Sequence, residues 1–563
     1  MSSALVIILH AHIPYVLGHG AWPHGEDWLN ESVAESYIPL LRIFNNLADD
    51  GCLPKVTVVV TPILAEQLCD AGFKEQFKGY LKNKLNAAEQ DESSFVAQGD
   101  MHLARLARMW REYYEQLTRD FIGVHNEDIV AGFRSLEQRG AIEVMTCAAT
   151  HGYLPLLSED AAIRAQLRVA VETHKRHFGV APRGLWLPEC AYRPAQEWIY
   201  PIEGWGPPKH RPGLEELLAE VGIRYFIVDS HLLQGGEPVP IYHRRFGEPA
   251  NRVKTEIPTE GRHSHVAMRS PYNVYYAAPE RGAAKVAFFT RDPKASLQVW
   301  SAAAGYPGDG NYLEFHKKRW PGGHRYWRVT DRNADLGAKL PYVPEEAEER
   351  AKEHARHFLT LLLETTRQPG VRVLTAPYDA ELYGHWWFEG PHWLERVLRL
   401  AHDHSDIEPL TAAEFLETHQ PVEAVQLPEG SWGSGGAHGV WFNRDTRWTW
   451  VRVYDAEAKM RETVRAASGR ADGDLRRLLK QMARELLLLE SSDWQFNMTT
   501  WSARDYAERR IEEHYSAFRD LYEITCRYLR DGALSARDTD ILRKLEEIDR
   551  PFQTVEPEWW LSP

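Results

Sequence analysis

The sequence contains few cysteines and no long hydrophobic run, and both absences narrow the kinds of protein it can encode. Its five cysteines are scattered over 563 residues without CxxC or zinc-finger spacing. We therefore expect neither a disulfide framework nor a structural zinc site. No stretch approaches the ~20 apolar residues of a membrane-spanning helix, and the first residues lack the basic and apolar segments of a signal peptide. These features predict a reduced, soluble, cytoplasmic protein.

Basic residues are in the minority. The chain has 66 Lys and Arg against 80 Asp and Glu, a net charge of −14. Such a balance provides no general attraction for nucleic acid or for an anionic membrane, so we expect neither as a partner. Tryptophan, by contrast, is abundant, with 20 residues. Its flat apolar rings fill protein cores and also stack on ligands, sugar rings included.

Seven short apolar runs in the first 375 residues predict buried parallel strands. The runs are continuous rather than alternating, which is typical of strands covered on both faces. Most intervals between them are helix-like, so the pattern predicts βαβ units. Seven such units favour an α/β fold of the closed, TIM-like (β/α)7 type over an open doubly wound sheet, which stays the alternative. The runs cover residues 4–9, 56–60, 142–147, 184–188, 224–228, 285–289 and 371–375.

Two long intervals and the C-terminal part depart from this alternation. Residues 66–140 are polar and helix-like, and they predict an inserted helical subdomain. Residues 234–283 are rich in Gly, Pro, Arg and Tyr without periodicity, and they predict a long lid-like loop. Beyond residue 410 the strand pattern stops, and residues 445–468, 473–490, 501–531 and 536–548 are predicted to form helices. We therefore predict a catalytic barrel over residues 1–410 and a C-terminal helical domain over residues 411–563.

Ionisable residues follow six of the seven runs. In parallel barrels the catalytic groups lie at the C-terminal ends of the strands. A single Asp or Ser in such a place is often a helix cap, but six positions together predict an enzyme active site. The residues concerned include His10, His12, His151, Glu189, Asp229, His231, Arg291 and Asp379.

Two chemistries fit these residues. His10 and His12 are two positions apart and share one face of a strand end, as in hydrolases whose divalent metal activates water. His151, His231 and Asp379 would then be the further ligands. Alternatively, Glu189 and Asp379 among aromatic residues form the carboxyl pair that glycosidic-bond chemistry requires. The residues favour the sugar chemistry, and a non-catalytic glucan-binding protein would not need both carboxyls.

Longer motifs resemble glycoside hydrolase family 57. They are HAHIPYV (10–16), THGYLPLL (150–157), GLWLPECAY (184–192), FFTRD (288–292) and APYDAELYGHWWFEGPHWL (376–394). Three others resemble the α-1,4-glucan branching enzymes of that family in particular: QVWSAAAGYPGD (298–309), GSWGSGGAHGVWFN (430–443) and SSDWQF (491–496). The resemblance runs in order over nearly all of residues 4–530.

The resemblance implies a (β/α)7 barrel with helical additions and a retaining double displacement on α-glucan, without cofactor or catalytic metal. Glu189 would be the nucleophile and Asp379 the general acid/base. An α-amylase or a 4-α-glucanotransferase of the same family is the alternative activity. From the motif matches and the aromatic residues near the two carboxyls, we predict these substrate-binding residues: His10, His12, His151, Trp186, Tyr242, Arg291, Trp300, Trp387, Trp432, Trp441 and Asp493.

Branching enzymes of the family shelter the glycosyl-enzyme from water with a flexible loop that carries a tyrosine at its tip. The corresponding stretch, 234–270, is longer here than the family pattern. Tyr242 is our candidate for that tyrosine, with Tyr272 and Tyr275 as alternatives.

Overall fold

A curled parallel sheet forms the centre of the computed structural model, which describes residues 2–234, 269–282, 285–301, 304–470 and 473–561. All seven predicted strands form, and they pair in the order β7-β1-β2-β3-β4-β5-β6. A parallel bridge between Arg291 and Thr375 links the outer strands β6 and β7. The predicted (β/α)7 TIM-like fold is confirmed. The strands are β1 (Ser3–Ala11), β2 (Val56–Val60), β3 (Ile142–Cys147), β4 (Gly184–Trp186), β5 (Tyr225–Val228), β6 (Ala287–Thr290) and β7 (Val373–Asp379).

The strand residues are apolar on both faces because both faces are covered. Every residue of β1, β2 and β3 is buried. Close contact between β4 and β5 depends on Gly184, where a Cβ atom would lie 2.2 Å from the ring of Tyr225. The short strand β4 ends at Trp186, three residues before the predicted nucleophile Glu189.

Eighteen helices surround the sheet in the described part of the chain. Two π-helical turns, Val33–Tyr37 and Arg119–Val124, interrupt them. The helices are α1 (Glu26–Ser32), α2 (Ile38–Asp49), α3 (Pro62–Cys69), α4 (Ala71–Ala97), α5 (Met101–Thr118), α6 (Ile129–Gln138), α7 (Asp160–Phe178), α8 (Leu214–Glu220), α9 (His231–Gln234), α10 (Pro293–Trp300), α11 (Pro344–Thr366), α12 (Gly390–His402), α13 (Ala412–Thr418), α14 (Arg447–Ala467), α15 (Gly473–Leu489), α16 (Asp493–Thr500), α17 (Arg504–Asp531) and α18 (Ala536–Ile548).

Short strands complete the secondary structure outside the barrel. Tyr275–Ala277 pairs antiparallel with β6 and parallel with Ala424–Val425, and Ile407–Pro409 pairs with β1. Two small hairpins pair Gln196–Trp198 with Lys209–Arg211 and Lys318–Arg319 with His324–Arg325.

The helices predicted from the sequence form in both additions to the barrel. Within 66–140, α4 and α5 pack against each other, and Asp70 and Asp100 cap their N-termini through backbone N–H groups. Beyond residue 440, α14, α15, α17 and α18 match the predicted helical segments, whereas α16 was not predicted. The division of the chain into domains stays a prediction.

Most of the predicted lid-like loop lies outside the described residues. The described part, 269–282, includes the short strand Tyr275–Ala277, whereas Tyr242 falls in the undescribed part. Among the described helices, none combines the length and apolar character needed to span a membrane.

Candidate active site

The register between β1 and β7 places His10 beside Asp379. The two residues are direct partners in the parallel pairing, and His10 Nδ1 lies 3.4 Å from Asp379 Oδ1. The strand ends thus bring together residues 369 positions apart. Two of the predicted site residues share this edge of the sheet because neighbouring parallel strands end on the same side.

Glu189 follows β4 in a left-handed backbone conformation. Its φ is 61°, and that of Cys190 is 48°. Such angles cost of order 1–3 kcal/mol each in residues other than glycine, and they persist only where surrounding contacts hold them. The backbone N–H of Trp432 donates to the carbonyl oxygen of Glu189 at 3.1 Å. The indole Nε1 of Trp432 donates to Oε2 of the same residue at 2.7 Å.

The electrostatic environment of Glu189 opposes its ionisation. Burial, and to a smaller extent repulsion from Asp493 and Asp379, raises the pKa of Glu189 to about 8, while the hydrogen bond from Trp432 acts in the opposite direction. Asp379 therefore lies close enough to Glu189 to disfavour the charge of its carboxyl group, as in carboxyl pairs that share one proton.

A second group of polar residues, centred on Asp493 and His12, links the barrel to the C-terminal helices. Asp493, the first residue of α16, accepts a 2.9 Å hydrogen bond at Oδ2 from His12 Nε2 and one from Ser491 Oγ at 2.6 Å. The ring of His12 stacks on that of His151, with 4.2 Å between their centroids. Burial alone would raise the pKa of Asp493, but His12 outweighs it and keeps that pKa below its usual range. Asp493 is consequently an ionised carboxylate.

The surroundings of His10 and His151 favour the neutral form of both imidazoles. Burial first, and then repulsion from His12, lowers the pKa of both His10 and His151 well below the usual histidine range. His151 Nδ1 contacts Ser492 Oγ at 2.8 Å and lies 3.9 Å from Glu189 Oε1. Uncharged imidazole nitrogens are suited to hydrogen bonding with hydroxyl groups.

Arg291 lies in the protein interior, next to Trp432. Its side chain is fully buried and pairs with the equally buried Asp229. The guanidinium carbon is 5.7 Å from the centroid of the Trp432 ring. Arg291 therefore reaches the predicted nucleophile through Trp432, and its role toward substrate stays a prediction.

The predicted tryptophans occupy different places. Trp186 is fully buried and stacks on His10 at 4.9 Å. Trp441 is fully buried against Tyr153, with 4.5 Å between ring centroids. Trp300, 5% exposed, ends α10.

Trp387, 1% exposed, packs 5.3 Å from Trp393. Neither Trp441 nor Trp387 contacts the carboxyl pair among the described contacts, and for these two the contacts shown are those of core packing. Binding of substrate by any of the five predicted tryptophans, Trp432 included, stays a prediction.

The structure adds Glu381, to which the sequence analysis gave no role. Its Oε1 accepts the backbone N–H of His12 at 3.0 Å and the hydroxyl of Tyr37. Gly384 permits this arrangement, because a Cβ there would lie 1.7 Å from the carbonyl oxygen of Glu35 in the π-helical turn that carries Tyr37. The only signal in the sequence was its position two residues after Asp379.

Donor atoms that could hold a metal ion occur in the same region. In each of three groups of described residues, one donor atom from each member lies within 4.8 Å of the others. Two groups share His151 and border the carboxyl pair, and the third lies between the N-terminal loop and the C-terminal helices. The groups are His10, Cys147 and His151; His12, His151 and Asp493; and His19, His514 and Asp549.

Comparison with known proteins adds two family matches. The family model described as Glycosyl hydrolase family 57 matches residues 6–428. The model described as 1,4-alpha-glucan branching enzyme, C-terminal, matches residues 452–560. Both the barrel and the C-terminal helices are therefore similar to known families.

Individual relatives match over almost the whole chain. The 1,4-alpha-glucan branching enzyme TK1436 of Thermococcus kodakarensis is 42% identical over 563 residues, which cover 99% of this chain and 78% of that protein. The crystal structure of that GH57 branching enzyme, solved with glucose and additives, has a TM-score of 0.89 at 41% identity and covers 100% of this chain and 97% of its own. The alpha-amylase AmyC of Thermotoga maritima has a TM-score of 0.80 at 30% identity, with both chains fully covered.

Proposed function

The chain belongs to glycosyl hydrolase family 57, and we propose that it is an α-1,4-glucan branching enzyme, which cleaves α-1,4 links and forms α-1,6 branches in a glycogen-like glucan. The observation that supports this most directly is the carboxyl pair of buried Glu189 and half-buried Asp379, inside a chain that matches branching enzymes through both its barrel and its C-terminal helices. α-Glucan is the partner that follows from this activity. A cytoplasmic location stays a prediction from the sequence.

The proposed reaction is a retaining double displacement. Glu189 attacks the anomeric carbon while Asp379 protonates the glycosidic oxygen of the leaving chain. The covalent glycosyl-enzyme then reacts with the 6-hydroxyl of an acceptor glucan, from which Asp379 removes the proton. Net retention at the anomeric carbon follows from the two inversions.

These steps require that the carboxyl groups of Glu189 and Asp379 together carry one proton. Mutual repulsion disfavours the doubly ionised pair, consistent with the raised pKa of Glu189. The indole N–H of Trp432 stabilises the ionised form of Glu189. When a glycosidic oxygen lies beside Asp379, the proposed first step requires the proton on Asp379. Glu189 is then ionised and acts as the nucleophile.

The histidines supply donors and acceptors for one glucose unit. His10, His12 and His151 form a ring cluster with centroid separations of 4.2 to 5.8 Å, and Asp493 is ionised next to His12. Neutral imidazoles and a carboxylate are suited to hydroxyl groups of a sugar. In this proposal neither the cluster nor the carboxyl pair needs a metal for catalysis.

Hydrolysis is the second candidate function, because the Thermotoga maritima alpha-amylase is similar over its full length. A glycosyl-enzyme that water reaches before an acceptor yields hydrolysis. The proposal therefore includes Tyr242 as the residue that shelters the intermediate, on sequence grounds alone. Tyr242→Ala is then expected to raise hydrolysis relative to branching.

Amylose distinguishes these activities. Purified protein is incubated with amylose, new α-1,6 anomeric protons are measured by NMR, and new reducing ends are measured in parallel. We expect the new α-1,6 links to outnumber the new reducing ends. Reducing ends without α-1,6 signals would assign the chain to the amylases instead. Glu189→Gln, checked for folding by circular dichroism, is expected to lower both readouts by several orders of magnitude, roughly the effect of losing a covalent catalyst.

A further inference from the structure

Two imidazoles and a thiol meet on the barrel side of the histidine cluster. His10 lies in β1, Cys147 is the last residue of β3, and His151 follows four positions later. One donor atom from each lies within 4.8 Å of the other two. His10 and Cys147 thus belong to the sheet itself, and His151 lies in the turn that follows β3.

The two histidines retain unused ring nitrogens. Nε2 of His10 and Nε2 of His151 are both buried, and neither has a hydrogen-bond partner among the residues that the structure describes. The other ring nitrogen is engaged in each case, by Asp379 for His10 and by Ser492 for His151. An unprotonated imidazole nitrogen is a good ligand for transition metals.

The thiol determines which ions such a site would accept. Cys147 is fully buried, and an ordinary cysteine thiol carries its proton at neutral pH. An ion must have high affinity for sulfur to displace that proton. Zn²⁺ forms such bonds with cysteine and histidine, whereas Mg²⁺ and Ca²⁺ prefer oxygen ligands.

We propose that His10, Cys147 and His151 form an inhibitory binding site for a thiophilic transition-metal ion, with Zn²⁺ as the representative ion, and that occupation of this site competes with the donor glucan. Three protein ligands and one open position match the tetrahedral preference of Zn²⁺. Binding forms a sulfur–zinc bond, and the thiol proton leaves to solvent. Competition follows because the ion would take the histidine nitrogens that the proposed function assigns to sugar hydroxyls.

The binding part of this inference is independent of the proposed function, and the inhibition part rests on it. Zinc binding is therefore measured directly, by calorimetric titration of the chelator-treated full chain. Cys526, the exposed cysteine, is replaced by Ser in every protein used, so that a surface thiol does not contribute. Cys147→Ser is the test variant, and Cys52→Ser, another buried cysteine, is the matched control.

We expect one zinc site whose Kd rises by about 100-fold in Cys147→Ser, since even the outer partners of metal ligands change affinity by about 10–100-fold. The release of one proton on binding should disappear with the thiol. Co²⁺ is the second probe. Its thiolate charge-transfer band should appear in the protein that keeps Cys147 and in Cys52→Ser, but not in Cys147→Ser. That band in the protein with Cys147 intact tests sulfur ligation even if the variant does not fold.

Two results would overturn the binding assignment. One is an unchanged zinc Kd in folded Cys147→Ser together with no cobalt–thiolate band. The other is a loss of zinc binding in Asp493→Asn but not in Cys147→Ser, which would place the ion at His12, His151 and Asp493 instead.

Inhibition is measured as branching of amylose at several zinc concentrations. We expect zinc to raise KM without lowering kcat, EDTA to reverse this, Mg²⁺ to have no effect, and Cys147→Ser to be less sensitive to zinc. Zinc that binds without changing KM would overturn the competition. Activity that EDTA abolishes and zinc restores would contradict both an inhibitory ion and the proposed metal-free mechanism. A protein without branching activity would contradict the proposed function, while the calorimetry and cobalt spectra would still decide the site.

Discussion

The indole Nε1 of Trp432 donates a 2.7 Å hydrogen bond to Oε2 of Glu189, 243 positions earlier in the chain. The backbone N–H of the same tryptophan donates to the carbonyl oxygen of Glu189. One residue therefore holds both the side chain and the left-handed backbone of the proposed nucleophile. The segment that follows the barrel therefore contributes directly to the proposed catalytic centre.

Replacement of Trp432 by Phe should shift the pH dependence of activity. The nucleophile must be ionised, so kcat/KM falls as the pH drops through the pKa of Glu189. Burial already raises that pKa, and the indole hydrogen bond lowers it. A hydrogen bond to a charged group contributes about 1.5–3 kcal/mol, which corresponds to roughly 1–2 pH units. We expect the acid limb of the kcat/KM profile to move to higher pH by about that amount in Trp432→Phe.

Trp450→Phe is the matched control, because Trp450 is also buried and its indole donates to the carbonyl oxygen of Trp441 at 2.9 Å. This variant loses an indole hydrogen bond as well, but not one to a carboxyl group. Its acid limb should match that of the wild type. An acid limb that is equally placed in Trp432→Phe and wild type would show that the indole does not stabilise the ionised nucleophile.

Asp379→Asn should affect substrates unequally. In the proposed mechanism Asp379 protonates the leaving oxygen, so the first step on amylose should slow by about 10²–10⁴-fold. A nitrophenyl α-maltoside has a leaving group that needs no protonation, so release of nitrophenol in a single turnover should fall far less. Glu189→Gln removes the nucleophile and should impair both substrates alike. Equal losses on both substrates in Asp379→Asn would argue against its role as the general acid.

Local sequence patterns were sufficient to predict the strands and the polar residues at their ends. The runs that became β1 to β7 are buried on both faces, so their apolar character is visible without knowledge of their partners. Contacts between distant segments were not predictable in the same way. The pairing of His10 with Asp379 depends on which strands are neighbours, and the hydrogen bonds from Trp432 to Glu189 depend on how the chain returns after the barrel.

Helix α16 and the role of Glu381 are two further features that the sequence did not predict. The sequence of α16 (Asp493–Thr500) is short and carries Asn and two Thr residues, which have weak helix propensity, so tertiary packing must hold it. Glu381 lies in a motif dominated by Asp379, and its role depends on a π-helical turn that no periodicity indicates. Residue propensities and the spacing of apolar residues identify helices and strands. The proposed function depends on tertiary contacts between them, which these patterns do not specify.

Glu381 should act as a positioning residue. Burial, with a contribution from the charge of Asp379, raises the pKa of Glu381 to about 8, so the neutral form predominates at neutral pH. Glu381→Gln resembles that form and keeps an acceptor for the His12 N–H and the Tyr37 hydroxyl, and we expect it to retain most activity. Glu381→Ala leaves both donors unpaired and should lower kcat by about 100-fold, the scale associated with a misplaced catalytic group.

The comparison between the two variants of Glu381 separates positioning from general destabilisation. Both are measured for kcat, KM and the midpoint of thermal unfolding. If kcat follows the unfolding midpoint in both variants, Glu381 has only a structural role. Tyr37→Phe, which removes one of the two donors, is expected to lie between them.

The buried pair of Asp229 and Arg291 should make stability depend on pH at the acid end. Burial would raise the pKa of Asp229, but Arg291, with help from His231, outweighs it and lowers that pKa to about 2, against about 3.9 in an unfolded chain. A lowered folded-state pKa contributes stability above the unfolded value, here about 2–3 kcal/mol, and that contribution is lost as the pH falls from about 4 toward 2.

Asp229→Asn should therefore destabilise the protein most at neutral pH. The variant leaves the Arg291 charge buried without its counterion, and we expect a loss of about 3–5 kcal/mol in the free energy of unfolding at pH 7. Denaturant titrations at pH 7, 5 and 3 should show the difference from wild type shrinking below pH 4. Asp50→Asn is the control, because Asp50 pairs with Arg399 at 2.7 Å on the surface, with side chains 58% and 38% exposed, where such pairs contribute about 0–1 kcal/mol. A loss in Asp229→Asn that is small at pH 7, or that stays constant down to pH 3, would mean that the ion pair does not stabilise the fold through its charge.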